Sequence, residues 1–278
     1  MKFFTLFFLF FWAQSLLAQT SKLGKLSGEL KEISGLEKLN DSSLFAINDG
    51  GNDPCVYILN LKGKIIRSIY ISNVKNRDWE DLAIDEKNEY LYIGNVGNNN
   101  NKHKKLAIYK VKVSDLLSNE SAEAEKIIFE YPDQHTFPPE KSEWFFDCEG
   151  MAIAHQRIFL FTKSNSKPYK GISKVYSMKL DGTDFQIEAS INLGNDGYYK
   201  NSVTAADYHN GKFYLSTYSS IYVLSKEVDE FKILRVHRYN RLTQKESLVV
   251  MNEHELIIAD EKSPLMIGQN LYLFKLKK

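Results

Sequence analysis

Acidic side chains stand directly before a short apolar stretch near residue 80. In the segment RDWEDLAID (77–85), Asp78, Glu80 and Asp81 precede the apolar residues 82–84. Converging carboxylate and amide oxygens are the ligand set that calcium prefers, because this hard cation takes six to eight oxygen ligands. Without a cation, crowded carboxylates raise one another's pKa, and a carboxyl that stays protonated can act as a general acid. The chemistry therefore depends on which other groups the fold brings to the same place.

The acidic segment belongs to one of five copies of a repeated pattern. The first element of each copy reads ISGLEKL, WEDLAID, CEGMAIA, VTAADYH and KESLVVM. A turn, a continuous apolar run and an alternating strand follow, the last centred on Tyr57, Tyr109, Tyr176, Tyr222 and Tyr272. Continuous runs indicate strands covered on both faces, and alternation indicates half-buried strands. A fourth strand such as EKIIFEY completes the unit. Four antiparallel strands at intervals of roughly 45–65 residues are typical of a β-propeller blade.

These repeats predict an all-β fold, a β-propeller of five four-stranded antiparallel blades. Six blades are the alternative, if the segment Leu116–Trp144 contains a degenerate one. The fifth copy reaches Lys278 after only three strands. We therefore expect the N-terminal segment GKLSGELKEI (24–33) to supply the missing fourth strand, because closing the ring in this way removes the open sheet edges.

Propeller topology predicts where the acidic residues lie. The first strand of each blade lines the central channel, and its starting end opens on the same face as the loop between strands two and three. One position precedes every channel strand, and its five occupants are Ser34, Glu80, Glu149, Thr204 and Glu246. The loops on the same face carry Asn48, Asp49, Asn95, Asn98, Lys163, Tyr218, Asp260 and Glu261. The sequence thus predicts an acidic, amide-rich channel mouth, in which Lys163 and Arg77 could hold an anionic group or pair with the acids.

A purely structural interpretation of the mouth stays open beside the functional one. A channel filled with water carries polar residues without binding anything, and carboxylates can cap backbone amides. Trp79 and Trp144, which flank the first strands of blades two and three, are more typical of wedges between blades than of sugar-stacking platforms. The sequence has no glycine-rich phosphate loop, HExxH pair, CxxC pair or GxSxG motif, and it assigns no catalytic residue.

The N-terminal residues resemble an export signal. Lys2, the apolar run 3–12 and the small residue Ala18 predict a signal peptide over residues 1–18, with residues 19–278 as a single propeller domain. We therefore expect an exported protein, periplasmic or secreted, with no transmembrane segment after cleavage. The net charge of +1 argues against a nucleic-acid partner. Cys55 and Cys148 could pair or remain free thiols.

Several segments together resemble a known group of proteins. FAINDGGNDPCVYILNLKGKIIRSI, NRDWEDLAID with LYIGNVGNN, DCEGMAIA with IFLFTK, and VTAADYHNGKFYLSTY resemble an exported bacterial β-propeller family. That family is similar to the phytase-like (esterase-like) propellers and, more distantly, to the senescence-marker/gluconolactonase and NHL-type propellers. In the gluconolactonase relatives a channel-strand glutamate holds a divalent cation together with Asn and Asp side chains.

The resemblance implies a metal site and also shows a departure from it. Glu80, Glu149 and Glu246 match the family's glutamate by position, with Asn95 and Asp260 as possible partners. The related pattern Gly-Asp-x-Gly-Asp-Asn carries two aspartates where this sequence has Asn95 and Asn98. This difference lowers the negative charge near the implied cation, which would be calcium or another divalent ion.

Two classes of function remain open from the sequence. The first is an exported propeller that binds a small molecule, glycan or peptide at the mouth, with or without a divalent cation. Its predicted ligand-binding residues are Asn48, Asp49, Arg77, Lys163, Tyr218 and Glu261. The second is a metal-assisted, calcium-dependent hydrolase of phosphoesters, esters or lactones. Fold analogy does not decide between them, because propellers host both kinds of function.

Overall fold

Each of the five sequence repeats forms one antiparallel sheet in the computed structural model of the chain. The structure describes residues 19–228, 230–263 and 267–277. The predicted signal peptide, residues 1–18, lies outside the described residues. The first strands of the five sheets contact one another in a closed ring around a central channel. The fold is therefore the five-bladed β-propeller that the repeats predict.

The strands follow the predicted order within each blade. The chain enters through β1 (Gln19–Lys25). Blade 1 contains β2 (Ile33–Asn40), β3 (Ser43–Asn48), β4 (Cys55–Asn60) and β5 (Ile65–Ile71). Blade 2 contains β6 (Asp81–Ile84), β7 (Tyr90–Asn95), β8 (Leu106–Lys112) and, after the two-residue β9 (Ser121–Ala122), β10 (Glu125–Phe129). The inner strand β6 is short because residues 77–80 before it form part of the channel mouth.

The last three blades repeat this arrangement. Blade 3 contains β11 (Asp147–Ala154), β12 (Arg157–Lys163), β13 (Ile172–Lys179) and β14 (Gln186–Asn192). Blade 4 contains β15 (Val203–His209), β16 (Lys212–Thr217), β17 (Ser220–Lys226) and β18 (Phe231–Arg238). Blade 5 contains β19 (Lys245–Asn252), β20 (Glu255–Lys262) and β21 (Gly268–Lys275), with β1 as its outer strand.

Within the described ranges, helical structure is confined to short connecting segments. These are α1 (Val113–Ser118), α2 (Tyr198–Asn201) and a 3₁₀ turn at Lys141–Glu143. The segment Leu116–Trp144 contributes β9, which pairs with β5, and β10, which pairs with β8. It therefore forms no additional blade, and the alternative of six blades is wrong.

None of the helices in the described part of the chain is long and apolar enough to cross a membrane.

The N-terminal strand closes the ring, but earlier in the chain than predicted. β1 pairs with β21 from Gln19↔Lys275 to Lys25↔Asn270, whereas the sequence suggested residues 24–33 for this role. The reason is that Leu26 and Leu30 are fully buried in the hydrophobic cluster between blades 5 and 1. The chain must therefore leave the sheet edge after Lys25 and turn into the core before it enters blade 1.

The core consists of one hydrophobic cluster between each pair of neighbouring blades. Trp79 is completely buried in the cluster between blades 1 and 2, where its ring meets Tyr109 edge-on at 6.1 Å. Trp79 is thus the wedge that the sequence predicts. Cys148 is buried and Cys55 half-buried, and the two are separate thiols.

Carboxylates inside the channel join the inner strands of neighbouring blades. Oδ2 of Asp81 in blade 2 accepts hydrogen bonds from the backbone N–H of Met151 in blade 3 (2.8 Å) and of Ala206 in blade 4 (3.0 Å). Glu37 accepts the N–H of Ile84 at 3.1 Å, which links blades 1 and 2. Asp207 likewise accepts the N–H of residue 250, which links blades 4 and 5. Asp81 is therefore not a mouth residue, although it belongs to the acidic segment RDWEDLAID.

Candidate functional site

Every ring residue at the mouth interrupts the pairing of its inner strand. The pairing of β11 with β12 passes from Cys148 directly to Gly150 and skips Glu149. The pairings of β2, β15 and β19 skip Ser34, Thr204 and Glu246 in the same way. Glu80 donates its N–H to the carbonyl of Gly94, the residue that pairs with Asp81. Such β-bulges leave one residue unpaired and redirect its side chain, which is how the chain presents these five side chains at the mouth.

The two hydroxyls of the ring link blades and do not face a ligand. Ser34 Oγ donates to the carbonyl of Trp79 at 2.9 Å, and Thr204 Oγ1 donates to the carbonyl of Lys245 at 2.6 Å. Each accepting carbonyl belongs to the residue directly before a ring glutamate of the next blade. The hydroxyls therefore hold Glu80 and Glu246 in place, and the glutamates carry the charge.

Two acidic triads meet at Glu80. One contains Asp49, Asp78 and Glu80, and the other contains Glu80, Asp147 and Glu149. Within each triad the carboxylate oxygens lie within 4.8 Å of one another. Glu80 is only 6% exposed and accepts no hydrogen bond from any residue that the structure describes. A buried carboxylate without a donor is costly unless a cation or a proton compensates it.

Sequence reasoning placed Asp78 in the acidic segment at the mouth without naming it as a ligand, and it passed over Asp147. A repeated Asp-x-Glu motif, DWE at 78–80 and DCE at 147–149, is the sequence signal that could have identified both aspartates as site residues. In an extended chain, side chains two residues apart point to the same side, so each aspartate joins its glutamate. Asp147 is fixed by the N–H of Asn98 at 2.6 Å and by Nδ2 of Asn165 at 2.8 Å.

Asn95 and Asn98 stand where the related pattern has aspartates, and both form hydrogen bonds to residues of the mouth. Oδ1 of Asn95 accepts the N–H groups of Arg77 (3.2 Å) and Asp78 (3.1 Å). Oδ1 of Asn98 accepts the N–H of His103, and its Nδ2 donates to the carbonyl of Phe146 at 3.1 Å. Asn95 therefore positions the first triad and does not belong to it.

Lys163 supplies the positive charge of the site. Its Nζ lies 3.0 Å from Oε1 of Glu149, and both side chains are almost completely buried. The ammonium also lies 5.6 Å from the ring centre of Tyr198 and 5.4 Å from that of Tyr218. Burial disfavours the charged form of Lys163, but Glu149 and its other neighbours outweigh burial and raise the pKa well above its usual value. Lys163 thus stays protonated and compensates Glu149.

The other predicted site residues lie around the triads. Glu246 is buried near Lys163 and Tyr218, outside both triads. Asp260 accepts the N–H of Asn270 (2.8 Å) and the hydroxyl of Tyr272 (3.0 Å) within blade 5.

Asn48 and Arg77, two more of the predicted site residues, donate hydrogen bonds to backbone carbonyls of the mouth loops. Asn48 donates to the carbonyl of Glu29 at 2.7 Å. Arg77 donates to the backbone carbonyls of residues 95, 97 and 105. Of the residues predicted to bind ligand or metal, the structure brings Asp49, Glu80 and Glu149 together in the triads, with Lys163 beside them.

The carboxyl groups of the two triads all have raised pKa values. Burial, which Asp78 reinforces, raises the pKa of Asp49 from 3.8 to about 6. Burial and then Asp147 raise the pKa of Asp78 to about 6 as well. For Glu80, burial and repulsion by Glu149 raise the pKa well above its usual value. The carboxyls outnumber the single ammonium of Lys163, so without a cation some of them are driven to keep a proton, and a divalent cation would favour their ionised form.

The cation-free protein is expected to lose stability as the pH rises from about 4 through about 6, the interval between the ordinary and the raised pKa values of Asp49 and Asp78. Carboxyls with raised native pKa values bind more protons in the folded than in the unfolded chain, so the free energy of unfolding falls with pH across this window. The window runs from 3.8 to about 6 for Asp49 and Asp78. Thermal melting in EDTA between pH 4.5 and 8.5 measures this slope, and saturating calcium should reverse it. A melting temperature in EDTA that rises with pH would contradict the expectation.

Gly97 provides the space that the first triad occupies. A Cβ at this position would overlap the carboxylates of Glu80 and Asp78. We expect Gly97→Ala to weaken cation binding at least about tenfold, because moving a carboxylate by a fraction of an ångström disturbs the ligand geometry. Calorimetry measures the effect. Gly28→Ala is the matched control, because a Cβ at Gly28 meets nothing within 4 Å. Equal affinities for the two variants would show that cations do not bind between these carboxylates.

An aromatic pocket adjoins the acidic triads. It has a volume of about 370 Å³, and its lining includes Trp144, Tyr169, Tyr198 and Asn165. Asn165 also donates to Oδ2 of Asp147 at 2.8 Å, so one side chain belongs to both the pocket and the wall of the second triad. Trp144 is half-buried here, with its Nε1 donating to the carbonyl of residue 139. Unlike Trp79, Trp144 is therefore a half-buried wall of this pocket and not a wedge, and Nζ of Lys141 lies 4.0 Å from its ring centre.

The fold resembles solved propeller structures, although the sequence does not identify a family. No protein-family model matches the sequence, and no curated protein sequence matches it. The PQQ-bound aldose sugar dehydrogenase of Streptomyces coelicolor has a TM-score of 0.57 at 8% identity, over 94% of this chain and 98% of that chain. The glutaminyl cyclase of Myxococcus xanthus has a TM-score of 0.56 at 10% identity, over 94% and 98% of the two chains.

A third structure has a similar degree of likeness. A Bacteroides thetaiotaomicron protein of unknown function has a TM-score of 0.51 at 10% identity, over 94% of this chain and 76% of that chain. Identities this low carry information about architecture alone. The relationship to phytase-like propellers stays a prediction, and the chain is placed by these comparisons among the β-propellers.

Proposed function

We propose that this propeller binds a small-molecule ligand together with a divalent cation, calcium in the first instance, at the acidic channel mouth. The observation that carries the proposal is Glu80, a nearly buried carboxylate that accepts no hydrogen bond from the described residues and belongs to two acidic triads. Asp49, Asp78, Asp147 and Glu149 would complete the oxygen ligand set, which is the type that calcium prefers. A bound cation would supply positive charge and polarise a ligand oxygen.

The aromatic pocket is the place proposed for the organic part of the ligand. Trp144, Tyr169 and Tyr198 offer apolar ring surfaces, and Asn165 links them to the second triad. A ligand that lies against these rings would direct a polar group towards the cation. Apolar walls with a few convergent polar groups are typical of small-molecule sites. Sugars suit such a pocket, because a pyranose ring has an apolar face and hydroxyl groups that can coordinate calcium.

Metal-assisted hydrolysis is a second candidate function, and one observation favours it. Burial, reinforced by Glu246 and Asp49, raises the pKa of Glu261 to about 9. At neutral pH Glu261 therefore keeps its proton, as a general acid must. Calcium-dependent turnover of a phosphoester, ester or lactone would establish this activity. Calcium binding without turnover would leave the binding function as the better description. Export to the periplasm or beyond is part of the same proposal, and it supports calcium because that cation is abundant outside the cytosol.

Calorimetric titration of the chelator-treated protein with calcium tests the cation site. We expect saturable binding with a dissociation constant between about 1 µM and about 1 mM, the range of sensor and extracellular sites. Magnesium should bind more weakly, because it demands near-octahedral geometry and sheds its water reluctantly. The absence of binding heat at pH 7.5, together with an unchanged melting temperature, would refute the cation site. A glycan and small-molecule screen with and without calcium then tests the ligand site.

A further inference from the structure

A second pocket, separate from the acidic mouth, is lined by positive charge. It has a volume of about 360 Å³ and is lined by residues of β1, β21 and the connection from blade 4 to blade 5. Three cationic side chains, Lys22, Arg241 and Lys245, face it. None of the three forms a salt bridge with a carboxylate in the described residues. Three unpaired cations around one cavity constitute an electrostatic site for an anion.

Lys245 is the central element of this pocket. It is only 3% exposed, and its Nζ donates to the carbonyl of Arg241 at 2.8 Å and to Oγ1 of Thr243 at 2.7 Å. An ammonium has three N–H donors, so one more is available to a ligand. Nζ of Lys245 also makes a cation–π contact with Tyr239, whose ring centre lies 4.7 Å away. Its hydrogen-bond acceptors are neutral oxygens, and the nearby carboxylate of Asp260 offsets only part of the burial that lowers the pKa of Lys245 to about 8. A bound anion would complete the compensation of this buried charge.

Asp260, the cross-strand partner of Lys245, supplies part of the compensating charge. Its carboxylate accepts hydrogen bonds from Asn270 and Tyr272, and it forms no salt bridge with Lys245 within the described residues. Thr20 adds a second indication, because the residue lines the pocket and its buried hydroxyl has no hydrogen-bond partner among the described residues. An anionic oxygen in the pocket could accept from both Thr20 and Lys245.

We propose that this pocket binds the phosphate group of a small molecule or a free phosphate ion. The planar guanidinium of Arg241 and the ammonium of Lys245 are the two side-chain types that pair best with phosphate oxygens. The volume lies at the lower end of the range for small-molecule sites, about 300–1,000 Å³, and exceeds what a bare phosphate fills. This pocket is separate from the cation site, so the two proposals can fail independently.

Thermal melting and calorimetry of the chelator-treated full chain test the proposal, with inorganic phosphate, glycerol 3-phosphate and uncharged glycerol at constant ionic strength. EDTA keeps calcium out of the acidic mouth, so a phosphate effect cannot arise there through a bound cation. We expect saturable binding of at least one of the two phosphates and none of glycerol. Binding of glycerol 3-phosphate alone identifies a phosphomonoester as the ligand, and equal binding of inorganic phosphate identifies the free ion.

Variants locate the binding in this pocket. Lys245→Met should reduce the affinity at least tenfold, and without phosphate it should melt no lower than the wild type, because an incompletely compensated buried charge is removed. Arg241→Gln changes an exposed side chain that is expected not to affect folding, and it should weaken binding several-fold. Lys62→Met, an exposed lysine elsewhere, should bind like the wild type. Unchanged phosphate affinity in both pocket variants, or no saturable binding by the wild type, would overturn the proposal.

Discussion

Replacing Glu80 with glutamine is expected to weaken calcium binding by at least about 100-fold, because it removes a direct ligand, whereas the loss of an outer-shell partner typically costs 10–100-fold. Glu80 is the residue that the two acidic triads share, and it lies between them with no hydrogen bond to compensate its charge. Glutamine keeps the volume and removes the charge. The same change should raise the melting temperature of the cation-free protein at pH 8, since repulsion with Glu149 is relieved.

The matched control for this prediction is Glu246→Gln. Glu246 occupies the equivalent ring position in blade 5 and is also buried, but it lies outside both triads. Its substitution should change calcium affinity by no more than about fivefold, since only a neighbouring charge is removed. Calorimetric titration of the two variants and the wild type with calcium measures these affinities. Equal losses in both would show that the cation responds to the overall charge of the mouth and not to the triads, and no loss in either would exclude the mouth.

The repeated strand pattern was sufficient to predict the propeller and the ring of residues at its mouth. Each blade repeats the same order of strands and turns, so aligning five copies compensates for the weak signal of any one. The position of Glu80, Glu149 and Glu246 follows from that alignment, because the topology of a blade fixes which end of its first strand opens on which face. Fold and site location are therefore properties of the repeat.

The repeated pattern did not reveal the site features that differ from one blade to another. Asp78 and Asp147 lie directly before the aligned motifs WEDLAID and CEGMAIA, in two blades only. An alignment that compares one position per blade therefore passes over them. Asn95 has a side-chain oxygen of the kind that binds calcium, but that oxygen accepts the N–H groups of residues 77 and 78. Hydrogen bonding of this kind depends on the conformation of a loop, which residue types and spacing do not determine.

The N-terminal strand illustrates a second limit. Neither residues 19–25 (QTSKLGK) nor residues 24–33 (GKLSGELKEI) alternate strictly between polar and apolar residues, so the local pattern does not choose which of them pairs with β21. The choice is made by Leu26 and Leu30, which fit between blades 5 and 1 only if the chain has already left the sheet. Register of this kind is decided by tertiary packing and not by local pattern.

Asp81 carries the largest expected effect on stability. It stands next to Glu80 in the chain and has the same charge, yet its carboxylate accepts the N–H groups of Leu82 (2.9 Å), Met151 (2.8 Å) and Ala206 (3.0 Å). Its side chain is completely buried and joins three blades. Asp81→Ala should lower the free energy of unfolding by about 3–5 kcal/mol, because it leaves several buried donors unpaired. For a chain of this length that corresponds to a melting temperature lower by roughly 10 °C.

Comparing Asp81→Ala with Glu80→Gln separates the two uses of carboxylates in this channel. The first variant should melt well below the wild type with or without calcium, whereas the second should lose calcium-dependent stabilisation and keep a stable fold. Asp41→Ala provides the control for a change of charge alone, because Asp41 is almost fully exposed and pairs only with Lys38. If Asp81→Ala melted like the wild type, the inner strands would have to be held by the hydrophobic clusters between blades alone. If instead Glu80→Gln unfolded, the mouth carboxylates would be part of the structural framework, and the cation would be needed for folding rather than for ligand binding.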